Sequence, residues 1–266
     1  RERPKTRMLI TTWNINGIRA RIEGAIAYVR EAKPDVLCLQ EIKCQDEGFP
    51  REPFADLGYT VETHGQKGFN GVALLSRLPL EDVTRGLAGD EADVQSRFIE
   101  GTVTDGALAV RVASLYLPNG NPIGTEKFTY KLAWMDRLEL HAKRLLASEM
   151  PAVLAGDFNV IPEPEDARRP AAWTNDALFQ PESRSAFRTI ENLGFLDAVR
   201  ACHPEPGIYT FWDYQAGAWQ KDDGIRIDHH LLSPQAADRL VASGVDRFTR
   251  SWEKPSDHVP VWVTLA

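Results

Sequence analysis

The sequence is poor in the features that would commit it to a special environment. It has three cysteines in 266 residues, Cys38, Cys44 and Cys202. An odd, low count argues against a disulfide framework and suits a reducing compartment, so a cytoplasmic location is expected. Cys38 and Cys44 have no second Cys or His pair at zinc spacing, which leaves Cys38 as a small core residue on a strand. No apolar run approaches the roughly 20 residues of a membrane-spanning helix, and no membrane partner is expected. No basic start followed by an apolar stretch and a small-residue cleavage site is visible. Basic charge is not in excess: 31 Lys and Arg against 38 Asp and Glu leave a net −7. That balance argues mildly against a nucleic-acid binder. A local basic face can still hold phosphates on an otherwise acidic molecule.

What remains is an ordinary globular composition, 43% apolar and 26% charged. No internal repeat or linker divides the chain. A basic arm over residues 1–7 (RERPKTR) and one domain over residues 8–266 are expected. Strands are predicted over Met8 to Trp13, Asp35 to Gln40, Gly71 to Ser76, the LPLEDV segment after it, Arg97 to Val103, Leu108 to Leu115 and the AVLAG segment after Pro151. Further strands are predicted over Ile208 to Trp212, Arg226 to Leu232 and Val259 to Leu265. Ile22, Ile26 and Val29 predict a short helix, and Thr125 to Ser148 the longest one. Residues 160–184 read as a long Pro-rich loop, a length that is often functional inside a compact domain. About ten strands with three or four long helices predict an α/β domain built on two sheets.

Polar residues recur where strands end. Asn14 follows the first strand, Glu41 the second (LQEIK), and Asp157 and Asn159 a third (AGDFN). Asp228 sits in RIDHHLL, and Asp257 and His258 precede the last strand in SDHVPV. Any one of these could be a turn former. Buried carboxylates are costly unless paired or bound to metal, and so many at strand ends are hard to explain as turns. Oxygen ligands without Cys select a hard cation, Mg²⁺ or Mn²⁺ rather than zinc. Carboxylates and a histidine left free can orient and polarise a water. The chemistry implied is hydrolysis of a phosphate ester.

The segments WNINGIRA, LQEIK, GVALLS, YLPNGN, AGDFN, GIRID and SDHVPV occur in that order. Together they resemble exonuclease III-type abasic-site endonucleases, within the endonuclease/exonuclease/phosphatase superfamily that also contains DNase I. The resemblance covers about residues 8–266 and implies a four-layer α/β sandwich, two mixed sheets packed face to face and flanked by helices. It implies a Mg²⁺-dependent repair nuclease, with Mn²⁺ as a possible substitute, acting on double-stranded DNA at abasic sites or 3′ ends. Incision would fall 5′ to the abasic site, with 3′-5′ exonuclease and 3′-phosphatase activity beside it. A monomer is expected. Glu41 would be the principal metal ligand with Asn14 close by, and Asp157, Asn159, Asp257 and His258 complete the candidate metal set. Asp157 would position or deprotonate the attacking water, and Asn159 would hold that water or the phosphate. His258 would contact the scissile phosphate, Asp228 would orient it, and Tyr116 would donate its hydroxyl. The resemblance leaves open whether one metal or two act and which group is the base.

An abasic pocket is implied at YTFWDYQ, with Phe211, Trp212 and Ile225 as its candidates. Strand neighbours point to opposite faces, so one of Phe211 and Trp212 belongs in the core, and Phe211 is the better pocket residue. Backbone contacts are assigned to Arg19, Arg21, Lys43, Lys127 and Lys131, with Arg19 and Lys43 foremost. Asn16 stands where some relatives carry Asp, which weakens one proposed metal position. The loop from Pro162 to Arg184 has only Arg168, Arg169 and Arg184 as cations, unlike the basic loop of better-known members. Two alternatives stay open: a phosphodiesterase or phosphatase acting on inositol or lipid phosphates, and an inactive DNA-binding protein that kept the fold. YLPNGN and the aromatic segment favour DNA. The presence of Glu41, Asp157 and His258 argues for catalysis.

Overall fold

The computed structural model describes residues 7–266, so all but the last residue of the expected basic arm lies outside the described residues. Twelve strands, numbered along the chain, form two six-stranded sheets. The first sheet holds β1 (Met8–Asn14), β2 (Val36–Gln40), β3 (Thr60–His64), β4 (Val72–Ser76), β11 (Leu240–Val245) and β12 (Val261–Leu265). Its spatial order is β11-β12-β1-β2-β4-β3. The second holds β5 (Leu80–Arg85), β6 (Phe98–Asp105), β7 (Leu108–Tyr116), β8 (Ala152–Asp157), β9 (Leu196–Asp197) and β10 (Asp228–Leu232). Its order is β5-β6-β7-β8-β10-β9. Only β1 with β2 and β7 with β8 run parallel; the other named pairs are antiparallel.

The period of two along each strand builds the layers. On β2, Val36 and Cys38 join the core between the sheets, while Leu37 and Leu39 join the layer containing Tyr28 and Val29 of helix α1 (Ile22–Ala32). On β8, Val153 and Ala155 face the other sheet, and Ala152 and Leu154 pack in the outer layer. That outer layer is closed by helices, numbered in chain order with the short α2 (Glu52–Ala55) between: Trp134, Met135 and Leu138 come from α3 (Glu126–Ala147), and Phe187 and Ile190 from α4 (Pro181–Asn192). Strands β2 and β4 are buried on both faces and run apolar up to their last residues, Gln40 and Ser76, which are buried while donating to Ser114 and to the Leu78 carbonyl. Helix α3 starts where Thr125 accepts a hydrogen bond from the Lys127 N–H at 3.3 Å.

Two expectations need correction, and edge strands went unread. Ile208 to Trp212 is not a strand; within it only Phe211 makes isolated bridges, to Ile225 and His258. The edge strands β3 and β11 went unread because they are mostly half-exposed and carry no apolar run. The stretch 160–184 is not an irregular loop throughout: three one-turn 3-10 helices occupy it, and α4 begins at Pro181.

Candidate active site

Register brings the polar residues together. Because β1 and β2 are parallel, Asn14 pairs with Gln40, and Glu41 follows at the same edge. Because β7 and β8 are parallel, Tyr116 lies opposite Asp157. Because β10 is antiparallel to β8, Asp228 lies opposite Asp157 on its other side. Tyr116, Asp157 and Asp228 thus form a row across the second sheet, facing Asn14 and Glu41 of the first. The approach to β12 adds His258, and it is tied to β1 twice. Trp13 Nε1 donates to the His258 carbonyl at 3.1 Å, and Ser256 Oγ donates to the Asn14 carbonyl at 2.6 Å, across 245 and 242 residues of chain.

The side chains form one network. Asn14 Nδ2 donates to Glu41 Oε1 at 2.8 Å and to Asp157 Oδ2 at 2.9 Å. Its own Oδ1 accepts from the Asn16 N–H at 3.0 Å, which fixes the amide orientation. His258 Nδ1 lies 2.8 Å from Asp228 Oδ2, and Nε2 lies 3.5 Å from Asp157 Oδ2. Asn159 donates its N–H to Asp157 Oδ1 at 3.0 Å and its amide to the Leu117 carbonyl at 2.7 Å. Glu41 and Asn159 are left-handed, with φ of 48° and 46°, a conformation uncommon outside glycine and concentrated at functional sites.

Charge is unevenly settled here. Burial works against a charged His258, but Asp228 and Asp157 more than offset it and hold the imidazole well above its ordinary value. Burial pushes the Asp157 carboxyl up to about 7, opposed by His258 and assisted by Asp228. Burial, then the carboxylates of Glu41 and Asp157, pushes the Tyr116 phenol well above its ordinary value, so it stays a donor. The Arg97 guanidinium lies 5.0 Å from the Tyr116 ring centroid.

Ligand atoms of Glu41, Asp157 and His258 lie within 4.8 Å of one another. Two carboxylates suit a hard divalent cation. His258 Nε2, 3.5 Å from Asp157 Oδ2, lies within reach of either a metal or a phosphate oxygen at this edge. Asp257 is outside this cluster; its carbonyl accepts from the Trp212 N–H at 3.0 Å.

The remaining predicted residues separate. The Phe211 ring is partly exposed, 5.0 Å from the His258 ring, and Ile225 pairs with it while almost wholly buried. Phe211 borders a cleft of about 370 Å³ with Trp173, Asp176 and Arg169. Trp212 does not line a pocket: it is 0% exposed, its Nε1 donates to Asp222 at 3.0 Å, and Arg247 covers its ring. Arg19 and Lys127 are exposed, and Lys43 and Arg21 half-buried. Lys131 is not a surface cation: it is 0% exposed, and its Nζ donates to the carbonyls of Asn119 at 3.0 Å and Asn159 at 2.5 Å. It joins the YLPNGN and AGDFN loops from beneath, a role its place on the apolar stripe of α3, four residues before Met135, could have signalled. Ser256 and Tyr214 also went unread. The Tyr214 hydroxyl accepts from Asn16 Nδ2 and Arg21 Nη2, both at 3.2 Å.

A helix-flanked double sheet with carboxylates, an amide pair, a tyrosine and a charged histidine at one edge defines a metal-dependent phosphoesterase. The chain belongs to the endonuclease/exonuclease/phosphatase family, whose pattern it matches over residues 11–258. It is 34% identical to exodeoxyribonuclease III of Haemophilus influenzae, over 96% of this chain and 98% of that one. Its fold matches an AP endonuclease from Archaeoglobus fulgidus with a TM-score of 0.90 at 39% identity, covering 97% and 99% of the two chains. It also matches a 3′ phosphatase, NExo, from Neisseria, bound to a product DNA hairpin, with a TM-score of 0.92 at 35% identity and 97% and 99% coverage.

Proposed function

We propose that the chain is a DNA repair nuclease that hydrolyses the phosphodiester 5′ to abasic sites and also trims 3′ phosphates and 3′ nucleotides from duplex ends. The observation that carries this reading is the continuous row Asp228–His258–Asp157 set against Glu41 and Tyr116. Glu41 and Asp157 are the residues to hold Mg²⁺, which when bound supplies positive charge to the scissile phosphate. Asp157, 3.5 Å from His258 Nε2, positions or deprotonates the attacking water. Asn159 places that water or a phosphate oxygen. His258, oriented by Asp228, meets a non-bridging oxygen as a preorganised cation, and Tyr116 donates to the phosphate as its charge develops. Asp257 stands by the leaving group.

Phe211 over Ile225 forms the apolar wall for a flipped sugar that lacks a base, where an intact nucleotide is too large. Arg19 and Lys127 hold the backbone, whereas Lys43 is engaged beside Asn16 and Glu41, and the enzyme acts as a monomer on double-stranded DNA. The test uses two end-labelled duplexes, one with a tetrahydrofuran abasic analogue, each with Mg²⁺ or EDTA. One metal-dependent cut 5′ to the analogue and a 3′ ladder on the intact duplex are expected. Loss of neither duplex, with Mn²⁺ also tried, would overturn the reading and move it to inositol or lipid phosphates.

A further inference from the structure

The side of Glu41 away from Asp157 is already occupied by charge. Lys43 Nζ lies 2.6 Å from Asn16 Oδ1 and 3.4 Å from Glu41 Oε2. The other Glu41 oxygen accepts from Asn14, so each carboxylate oxygen has a partner. The ammonium is not a loose surface group that happens to land there. Asn16, Glu41 and Lys43 are all left-handed, with φ of 47°, 48° and 53°. Their backbones interlock: Gly17 N–H donates to the Glu41 carbonyl at 2.7 Å, and Lys43 N–H donates to the Asn70 carbonyl at 3.0 Å. Asn16 is clamped in turn, its Nδ2 donating to Tyr214 and its carbonyl accepting from Arg21 Nη1. The group that faces Lys43 at this spot is a neutral amide oxygen, which stabilises an ammonium without adding a charge of its own.

We propose that the Lys43 ammonium is the resident second cation of this site: it takes the place between Asn16 and Glu41 that a second divalent ion would need, holds the chain to one ion, and lowers that ion's affinity by competing for Glu41. The inference rests on the reading that Glu41 helps hold a divalent ion. Two positive centres on one carboxylate repel each other, and a neutral amide beside them cannot compensate. Replacing Asn16 by Asp supplies the missing negative charge, and removing the ammonium as well frees the space.

Mn²⁺ alone, titrated into the DNA-free protein and followed by the EPR signal of free Mn²⁺, tests this without any turnover. Wild type is expected to bind one ion. Lys43→Met should bind Mn²⁺ about tenfold more tightly, the order expected for removing one nearby positive charge through a high effective dielectric. Asn16→Asp/Lys43→Met should bind a second ion. Thermal melts of each variant confirm folding; Lys43 has 37% side-chain exposure and tolerates the change. Lys43→Met binding within twofold of wild type, or wild type binding two ions, overturns the inference. Glu41→Gln separates the two readings: if it leaves Mn²⁺ binding intact, the metal site itself is misassigned, whereas its loss with an indifferent Lys43→Met rejects the lysine alone.

Discussion

Two clusters of buried charge lie two residues apart on the same segment, and they are settled in opposite ways. Around Arg226 the account closes. Its guanidinium donates to Asp166 at 2.8 Å and to both oxygens of Asp197 at 3.0 and 2.9 Å, and Arg200 also donates to Asp166. Burial works against a charged Asp197, but Arg226 overrides it and holds the carboxyl near 2. Around Asp228 it stays open. Asp157, Asp228 and Glu41 share one imidazolium and one lysine, Asp228 Oδ1 is buried with no hydrogen-bond partner among the described residues, and Asp157 is pushed up to about 7. The first cluster ties the 160–184 segment, β9 and the residue before Ile227 into one block behind Phe211. The second keeps unneutralised charge for a cation and a phosphate. Complete pairing marks structure, and a surplus of one sign marks chemistry.

The contrast can be broken at either end. His258→Ala should give the largest effect, a fall in kcat of about 10³- to 10⁴-fold in single-turnover assays with the Kd for DNA nearly unchanged. An equal loss of DNA affinity would refute the open cluster's role in the transition state. Arg226→Met should instead cost about 3–5 kcal/mol of stability by urea denaturation, because it strands Asp166 and Asp197 without a counter-charge. Asparagine replacements sharpen the difference: Asp157→Asn should raise the melting temperature while abolishing cleavage, and Asp197→Asn should lower it.

The pH dependence should also divide. Asp197 is depressed in the folded state, so its contribution, about 2 kcal/mol, is present above about pH 4 and lost as pH falls toward 2. His258 is raised, so its contribution is complete below its ordinary value and lost as pH climbs toward 10. Urea titrations of wild type and His258→Ala at pH 3, 6 and 9 check both limbs. The smallest effect is expected from Phe211→Ala, a KM increase of a few-fold on abasic duplex with kcat held.

The strand ends were legible because apolar runs break there, and Asn14, Glu41, Asp157 and Asp228 each stand at such a break. The alternation that separated Phe211 from Trp212 was legible for the same reason, since neighbours on extended chain face opposite ways. Lys131 was misread because a lysine in the first turns of a helix above a DNA-binding edge suggests solvent, although it shares a stripe with Met135 and Leu138. The Arg226 network could not be read. Asp166, Asp197 and Arg226 are separated by long stretches, and nothing local distinguishes a residue that closes a buried ion pair from a solvated charge. Edge strands β3 and β11 were missed because half-exposed strands need no apolar pattern.

The two ties between β1 and the segment before β12 have a consequence for synthesis. Trp13 and Asn14 leave the ribosome first, and the residues that meet them, His258 and Ser256, emerge 245 and 242 residues later. Until they do, the growing chain carries Glu41, and later Asp157, without the histidine that completes the centre. Docking of Ser256 and His258 against β1 is therefore also the step that brings Asp157 and Asp228 their imidazole.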